Sequence, residues 1–424
     1  MAVAVATFLI VLGAIASERI HRTKAALLGA AVVVLLVDGF SQEQAIESVD
    51  FNTIGLLAGM MILVWVTQQS GVYDYVAIRA GQISRGRPLY VVLSLAATTA
   101  VLSAFLDNLT TILLIVPVTF LLADALDVDP IPLIVIEVVA SNIGGTATLI
   151  GDPPNIIIAG ATGISFNSFI VNLAPVALAT FTIVTGLLYL WYRPQLQIKE
   201  ANRHYVLDLD AKAAITDAQE LRRTGPVLAA TILLFFLHQP LHLEPATVAL
   251  PGASVALLTT RNHLEHALAK IEWPTLFFFV ALFVMVGALE QTGAIDEVAQ
   301  AVSELTGGHR TAELLGIIGI AAAGSAVVDN IPFTTAMIPV VEQLQAGQGS
   351  DGDDAYWWAL SLGACFGGNA TIIAAGANVA AAGLAERSGR PIGFLYFMRI
   401  GIPVTLISIL IAAAYLLVRY VAMS

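Results

Sequence analysis

The sequence has little charge and almost no cysteine. Of its 424 residues, 12% are charged and 58% are hydrophobic, whereas soluble domains average about 25% charged residues. A chain with half the usual charge is a poor fit for a soluble enzyme or a disordered scaffold. The net charge of −12 also argues against a nucleic-acid partner, because binding to phosphates requires a basic surface.

The scarce residue types narrow the chemistry further. Cys365 is the one cysteine, so the chain cannot form an intramolecular disulfide or a metal site made of thiolates alone. None of the four lysines follows a glycine, so there is no Walker A phosphate-binding loop. We therefore expect no enzyme activity and no cofactor. If ATP hydrolysis is involved at all, a separate soluble ATPase subunit has to supply it.

Long apolar runs are abundant. Runs of about 13–25 residues match the length that a helix needs to cross a bilayer, and they predict an all-α polytopic membrane protein. Two apolar blocks, 89–123 and 313–345, are interrupted by polar residues near the middle, and we interpret each as a re-entrant helical hairpin. About ten crossings remain, at residues 2–16, 25–37, 53–67, 131–160, 168–192, 226–238, 246–259, 275–289, 356–386 and 394–418.

The basic residues predict the topology. If residues 18–24 are cytoplasmic and each hairpin enters and leaves on one side, 16 of the 19 basic residues lie in cytoplasmic loops, as the positive-inside rule requires. Both termini are then outside, and the polar segment 193–225 is a solvated cytoplasmic linker. This pattern fits an inner membrane of bacterial type. A cleaved signal peptide at 2–16 is the alternative, but no basic region precedes it.

The two halves of the chain, 1–192 and 226–424, resemble each other. Each half contains five crossings and one hairpin, and this odd number inverts one half relative to the other. Inverted repeats with interrupted helices are typical of secondary transporters, whose substrates bind near the middle of the membrane. The matching stretches are 103–108 (SAFLDN) with 325–330 (SAVVDN) and 144–148 (GGTAT) with 367–371 (GGNAT).

The helix interruptions contain the candidate site. Paired glycines favour unwinding in the broken helices 131–160 and 356–386, and unwound backbone is tolerated at membrane depth only where it lines a cavity or is buried in protein. We predict that the interruptions bind the substrate and the coupling ion. The predicted binding residues are Asp107, Asn108, Thr110, Thr111, Asn142, Gly144, Gly145, Thr146, Thr148, Asp152, Asn155, Asp329, Asn330, Gly367, Gly368, Asn369, Thr371 and Asn378.

Four of the acids in apolar surroundings have no lysine or arginine within the spans to neutralise them. They are Asp107, Glu137, Asp152 and Asp329. Because an unpaired charge in the membrane is costly, we expect them to bind a cation, hold a proton or face water. Asp107, Glu137 and Asp329 are the proton-coupling candidates, although a structural hydrogen bond is the alternative for Glu137. Na⁺ is the alternative coupling ion, at Asp107 with Asn108 and at Asp329 with Asn330.

Three stretches resemble a known superfamily. Residues 103–118, 141–155 and 328–341 are similar to the ion transporter superfamily, in particular to the branch of arsenite/antimonite permeases, sodium/proton antiporters and the melanocyte P protein. The resemblance implies a homodimer in which the hairpin-bearing domain moves like an elevator against a scaffold. Dicarboxylate transporters of the superfamily have serine at the hairpin tips. Aspartate at positions 107 and 329 adds negative charge, which disfavours a dicarboxylate substrate.

These observations predict a secondary transporter, and the favoured function is proton-coupled efflux of arsenite or antimonite. Arsenite is largely an uncharged trihydroxide near neutral pH, so it suits amide and hydroxyl partners. A Na⁺(Li⁺)/H⁺ antiporter is the first alternative, and an organic-anion (carboxylate) carrier is the second. An intramembrane aspartyl protease and a passive channel are weaker alternatives.

Overall fold

The computed structural model describes residues 1–17, 19–261, 264–347 and 354–422. Within these ranges all regular structure is helical, as expected where the bilayer offers no partners to backbone polar groups. Seven of the described helices are long and apolar enough to cross a membrane. The chain is thus the polytopic helical membrane protein that its composition predicts.

The described part of the first half contains ten helices and is followed by a linker with one more. The linker segment also has short 3-10 turns at Glu200–Asn202 and Ala211–Ala214. The helices are α1 (Ala2–Ala16), α2 (Arg22–Leu36), α3 (Gln42–Glu47), α4 (Phe51–Gln68), α5 (Val72–Ile83), α6 (Pro88–Phe105), α7 (Asn108–Leu126), α8 (Ile131–Gly145), α9 (Pro153–Thr162), α10 (Phe166–Tyr192) and α11 (Arg203–Asp208).

The described part of the second half contains ten helices. A 3-10 turn, Ile372–Ala374, lies within its broken helix, and a short π-helical turn, Val418–Ala422, follows the last one. The helices are α12 (Ala218–Leu237), α13 (Pro245–Thr259), α14 (Leu264–Ala269), α15 (Trp273–Gln291), α16 (Ala294–Thr306), α17 (Arg310–Val328), α18 (Asn330–Gly347), α19 (Ala355–Gly367), α20 (Gly376–Arg387) and α21 (Phe394–Leu417).

Two helices of more than ten residues, α5 and α16, have no counterpart among the predicted apolar runs. They carry polar and charged residues, so hydropathy alone does not reveal them. They start 222 residues apart, the same separation that relates the two hairpins. Each follows a glycine with positive φ, Gly71 at 77° and Gly293 at 73°, a conformation that other residues rarely adopt. Both repeats therefore turn sharply before the hairpin by the same means.

Many of the helices fall into two packing groups, which also contact each other. We call α1, α2, α4, α12, α13 and α15 the scaffold, in which α4 packs along α13 and α2 along α15. The close approach of α4 needs its glycines, because a Cβ at Gly59 would lie 2.9 Å from the Cβ of Ala249. We call α6–α9 and α17–α20 the hairpin body. In it α6 packs along α8 and α17 along α19, while α7 contacts α20 and α18 contacts α9 across the repeats.

The linker 193–225 is not simply a solvated connection. Val206 and Ala211 are buried, and α11 packs against α7. The Asn202 side chain donates to the carbonyl of Leu126 (3.3 Å), and the amide of Thr216 donates to the carbonyl of Ser70 (3.1 Å). Apolar residues within this polar segment therefore attach it to α5 and to the end of the first hairpin.

Candidate functional site

The hairpins bring two Asp-Asn pairs to their tips. We call residues 106–108 tip one and residues 328–330 tip two. In tip one, Asp107 precedes α7 and accepts a hydrogen bond from the amide of Thr110 (3.0 Å) and a second one from its hydroxyl. This is a standard helix N-cap, in which an aspartate satisfies an amide that has no partner within the helix. The first tip is therefore stabilised from within its own hairpin.

Asp152 joins the two tips. It is fully buried, and its Oδ1 accepts hydrogen bonds from the side-chain amides of Asn108 (3.2 Å) and Asn330 (3.1 Å). Its Oδ2 is also buried but has no hydrogen-bond partner among the described residues. A buried carboxylate oxygen without a partner is costly, so this atom is the natural position for a bound cation or proton.

A chain of asparagines connects the two broken helices. Asn142 accepts from the Asn108 amide (3.2 Å), and its own amide donates to the side-chain oxygens of Asn369 and Asn378 (3.0 Å each). The Asn369 amide is buried without a partner among the described residues. Asn142 thus links tip one directly to the break in the second repeat.

Two asparagines support the unwound backbone between the half-helices. Asn155 donates to the carbonyls of Thr146 (3.0 Å) and Thr148 (2.8 Å). Asn378, its counterpart in the second repeat, donates to the carbonyls of Gly368 and Thr371 (2.7 Å each). These bonds replace those that the unwound backbone loses, and they explain how both breaks persist in an apolar environment. Thr148 and Thr371 in turn donate to the carbonyls of Ala104 and Ala326.

Each broken helix accepts an equivalent hydrogen bond from the hairpin of its own repeat. The Ser103 hydroxyl donates to the carbonyl of Ser141 (2.8 Å), and the Ser325 hydroxyl donates to that of Ala364 (2.7 Å). These serines lie 222 residues apart, and their acceptors lie 223 apart. The repeat seen in the sequence is therefore a repeat of hydrogen bonds as well.

The paired glycines allow the hairpin and the broken helix of each repeat to pack this closely. A Cβ at Gly144 would collide with the backbone of Ala100, and one at Gly367 would lie 2.6 Å from the carbonyl oxygen of Ala322. Gly145 is equally crowded, by the backbone of Gly151. Glycine is required at Gly144 and Gly367 because the hairpin backbone approaches the broken helix too closely for a side chain, and at Gly145 because the unwound backbone turns back on itself.

Asp329 has a basic partner, although the buried acids were predicted to have none. The Nη1 of Arg22 lies 2.8 Å from its Oδ2, and the guanidinium also lies over the ring of Phe278 (5.2 Å to the centroid). Asp329 has a φ of 116°, which is unusual for a residue with a side chain. Arg22 was predicted to lie in a cytoplasmic loop. It is instead the first residue of α2 and reaches tip two.

A cavity lies between the tips and the scaffold. Its polar lining consists of Arg22, Asp107, Asn108, Glu272, Thr275 and Asn330, and much of the rest comes from apolar side chains of α4 and α15. Among the described residues neither Asp107 nor Glu272 has an ion-pair partner within 4 Å, whereas Arg22 has Asp329. The charges that line the cavity are therefore mainly negative.

The remaining predicted residues have varied surroundings. Glu137 is buried and accepts from the Thr119 hydroxyl (2.6 Å), but it does not line the cavity. Its Oε2 and the Thr111 hydroxyl have no hydrogen-bond partner among the described residues. Sequence reasoning missed Arg22 and Glu272. Both lie at the ends of scaffold helices, where charged residues are common, so no local pattern distinguishes them.

Comparison with known proteins places these observations in a family. A family model described as citrate transporter matches residues 12–363. An uncharacterized transporter of Mycobacterium tuberculosis (strain CDC 1551 / Oshkosh) is 43% identical over 424 residues, which cover 99% of this chain and 98% of the relative. The human P protein is 33% identical over 489 residues, but they cover 58% of its length and 95% of this chain.

A solved structure shares the fold. The crystal structure of the YdaH transporter of Alcanivorax borkumensis, described as having an unusual topology, superposes with a TM-score of 0.61. The match covers 93% of this chain and 96% of that one, at 17% sequence identity. At this identity the likeness concerns the fold alone.

Proposed function

The chain belongs to the citrate transporter family and is related to the P protein, and we propose that it is a proton-coupled secondary transporter that exports arsenite or antimonite. That it is a multi-pass membrane transporter follows from the family and from the seven long apolar helices among its described residues. The substrate, the direction and the coupling ion are the parts that we propose.

The charge of the cavity is the observation that supports an uncharged substrate. Asp107 and Glu272 line it without a basic partner among the described residues, while the positive charge of Arg22 is already paired with Asp329. Like charges repel strongly where water is scarce, so this lining disfavours a multiply charged anion. An uncharged trihydroxide can instead exchange hydrogen bonds with Asn108 and Asn330.

The tips suggest where the coupling ion binds. Asp152 is shared by both tips and has one carboxylate oxygen without a partner among the described residues. A proton on that oxygen removes the cost of a buried charge, and its loss gives a carboxylate that accepts more strongly from the amides of both tips. Asp107 and Glu137 remain further proton-coupling candidates. Asp329 is the weaker one, because Arg22 already balances its charge.

A proteoliposome assay tests the proposal. Purified protein is reconstituted, and uptake of arsenite, antimonite, Na⁺, Li⁺ and citrate is measured with an imposed pH gradient, with a Na⁺ gradient and with neither. We expect metalloid accumulation that depends on the pH gradient and disappears with a protonophore. No metalloid flux under any gradient contradicts the proposal.

Two other functions have a specific observation in their favour. The same negative lining also suits a monovalent cation, which keeps Na⁺(Li⁺)/H⁺ antiport as the second candidate. Arg22 at the cavity and the family description favour a carboxylate carrier, the third candidate. Alkalinisation of the lumen driven by Na⁺ identifies the antiporter, and gradient-driven citrate uptake identifies the carrier.

The assembly and movement also belong to the proposal. We expect a homodimer in which the hairpin body moves as an elevator against the scaffold, with both termini outside and the linker in the cytoplasm. A soluble ATPase subunit is an optional partner. Mass photometry of the purified protein gives the oligomeric state, and labelling of cysteines introduced at the termini and in the linker tests the orientation.

A further inference from the structure

We propose that the Arg22–Asp329 ion pair is a latch between the scaffold and tip two, and that it favours the state in which the central cavity opens to the cytoplasm. The inference rests on the proposed function, since it assumes alternating access in the predicted orientation. It adds a residue, Arg22, that controls which way the carrier faces. No part of it depends on the identity of the substrate.

Arg22 is firmly attached to the scaffold. It begins α2, and its neighbour Thr23 donates to the carbonyl of Pro274 in α15 (2.8 Å). The Arg22 guanidinium lies over the ring of Phe278, which is also in α15, and cations are attracted to aromatic faces. Three-quarters of the Arg22 side chain is buried. The positive charge therefore stays in place when the hairpin body moves.

Asp329 belongs to the hairpin body, the half of the pair that we expect to move. It lies at the tip of a hairpin whose arms pack mainly on the broken helix α19 and less extensively on α1 and α15 of the scaffold. Its carboxylate meets Arg22 at 2.8 Å, and its backbone has φ 116° and ψ 142°, a region that residues with side chains rarely occupy. A strained backbone is maintained by its surroundings, so the tip is expected to relax when Arg22 no longer pairs with it.

The pair has no equivalent in the first repeat. Asp107 occupies the same position in tip one, has an ordinary φ of −64° and caps its own helix. No described lysine or arginine lies within 4 Å of its carboxylate. A device that distinguishes the two membrane faces must be asymmetric, because the inverted repeats otherwise make the two facing states alike. The ion pair supplies this asymmetry.

The position of the pair indicates which state it favours. The cavity beside it is lined by Arg22, the first residue of α2, by Glu272, just before α15, and by Met60, Met61 and Val64 from the middle of α4 onward. Arg22 and Glu272 adjoin basic loops that are predicted to be cytoplasmic. A second cavity lies against Asp329 and includes Ile20 and His21 of the loop before α2. The Arg22–Asp329 contact therefore holds tip two, and with it the hairpin body, toward the cytoplasmic end of the scaffold, which is the position expected of a carrier whose cavity faces the cytoplasm.

The experiment measures access to the cavity instead of transport. In the full-length C365S protein, Met61→Cys places a thiol on the scaffold wall, and everted vesicles expose it to a membrane-impermeant cationic methanethiosulfonate. We expect Arg22→Ala to slow labelling by about twofold to fivefold, the range that a partly exposed ion pair supports. Loss of a positive charge alone would attract this cationic reagent and speed labelling, so slower labelling reports the change of state.

Matched variants make the result specific. Arg22→Lys keeps the charge and should label at nearly the parent rate, and Lys24→Ala removes an exposed charge from the same helix and should have no effect. Unchanged labelling in R22A, or equal slowing in K24A, overturns the latch. If the arsenite proposal fails but R22A slows labelling, the latch stands for whichever substrate the carrier moves.

A second measurement applies even if Arg22→Ala impairs folding. Cysteines are placed at both positions of the pair (R22C with D329C, in the C365S background) and treated with a short bifunctional maleimide, whose span replaces the length of the arginine side chain. Formation of the cross-link is expected to protect both thiols from a maleimide–polyethylene glycol mass tag, whereas K24C with D329C remains tagged. Thiols that stay free in the R22C and D329C protein contradict the contact and with it the proposal.

Discussion

The two hairpin tips have the same Asp-Asn sequence but are stabilised differently. In tip one, Asp107 has an ordinary backbone and caps the helix that follows it. In tip two, Asp329 has a positive φ and pairs with Arg22, which belongs to another body of the molecule. Identical residues at equivalent positions therefore have different structural roles. One stabilises its own hairpin, and the other connects its hairpin to the scaffold.

The asparagines that follow behave alike. Asn108 and Asn330 both donate to the same oxygen of Asp152, although this acid itself has no counterpart, since the equivalent residue is Ala375. The two repeats therefore form a symmetric frame of helices and hydrogen bonds, and a few residues without a counterpart make the two halves of this frame different. The predictions below test what the tips share first and then what separates them.

Asp152→Asn should have the largest effect, because it weakens the interaction that the two tips share. Hydrogen bonds to a charged group contribute about 1.5–3 kcal/mol, so we expect transport to fall on the order of tenfold to a hundredfold. Flux in proteoliposomes measures this for the substrate found in the panel. Asp127→Asn, at an exposed acid of the same repeat, is the control, and equal fluxes in the two variants contradict the prediction.

Asn142→Ala should destabilise the protein more than Cys365→Ala, although the two residues occupy equivalent positions. Asn142 donates to Asn378, and Cys365 donates to Asn155 from 3.8 Å. Loss of the Asn142 amide removes the donor to the side-chain oxygens of both Asn369 and Asn378, at about 1–3 kcal/mol for each oxygen, whereas loss of the weak thiol donor costs about 0.5 kcal/mol. Thermal unfolding in detergent compares them, and a larger shift for C365A speaks against this view.

Asp107→Asn and Asp329→Asn should separate the tips. Asparagine caps a helix as well as aspartate does, so D107N is expected to keep the stability of the parent. D329N loses the charge that pairs with Arg22 and should be less stable by about 1 kcal/mol, the upper end for a partly exposed pair. Unfolding midpoints measured under one condition decide this. Equal losses in the two variants refute the difference between the tips.

Ser103→Ala and Ser325→Ala should have equal effects, because these serines make the same bond in both repeats. Each variant loses one donated hydrogen bond to a broken helix, worth about 1 kcal/mol. Ser103 also accepts from the Ser141 hydroxyl (3.0 Å), but that hydroxyl has a second acceptor, the carbonyl of Asn108 (3.3 Å). The informative quantity is the difference between the two unfolding free energies, which we expect to be near zero. A large difference shows that the symmetry of the frame is geometric but not energetic.

The smallest effect is expected at Asp127 and Lys199, outside both tips. The Lys199 ammonium lies 2.7 Å from Asp127, and its hydrogen bond and charge lower the pKa of that carboxyl. Any stability from this pair is present above the ordinary pKa of aspartate and is lost as the pH falls through the lowered value. Because both side chains are exposed, K199A should match the parent in thermal unfolding at pH 7.

Much of the frame was predictable from the sequence. The hairpin predicted at 313–345 extends from Arg310 to Gly347, since interrupted apolar runs and repeated polar pairs are visible in the residues themselves. The predicted asparagines, Asn108, Asn142 and Asn330 among them, also lie close to Asp152 or to one another. The amphipathic helices α5 and α16 were not predicted, because their burial comes from neighbours and not from a long apolar run.

The sequence by itself determined that the chain spans a membrane, that its halves repeat, and where its helices break, because each of these depends on local hydropathy, glycine content or similarity along the chain. Only the tertiary structure decided which buried acid has a partner. Arg22 and Asp329 are 307 positions apart, and their contact depends on how α2, α15 and the second hairpin pack. Pairing across such a separation is a property of packing, so it leaves no signal in the local sequence.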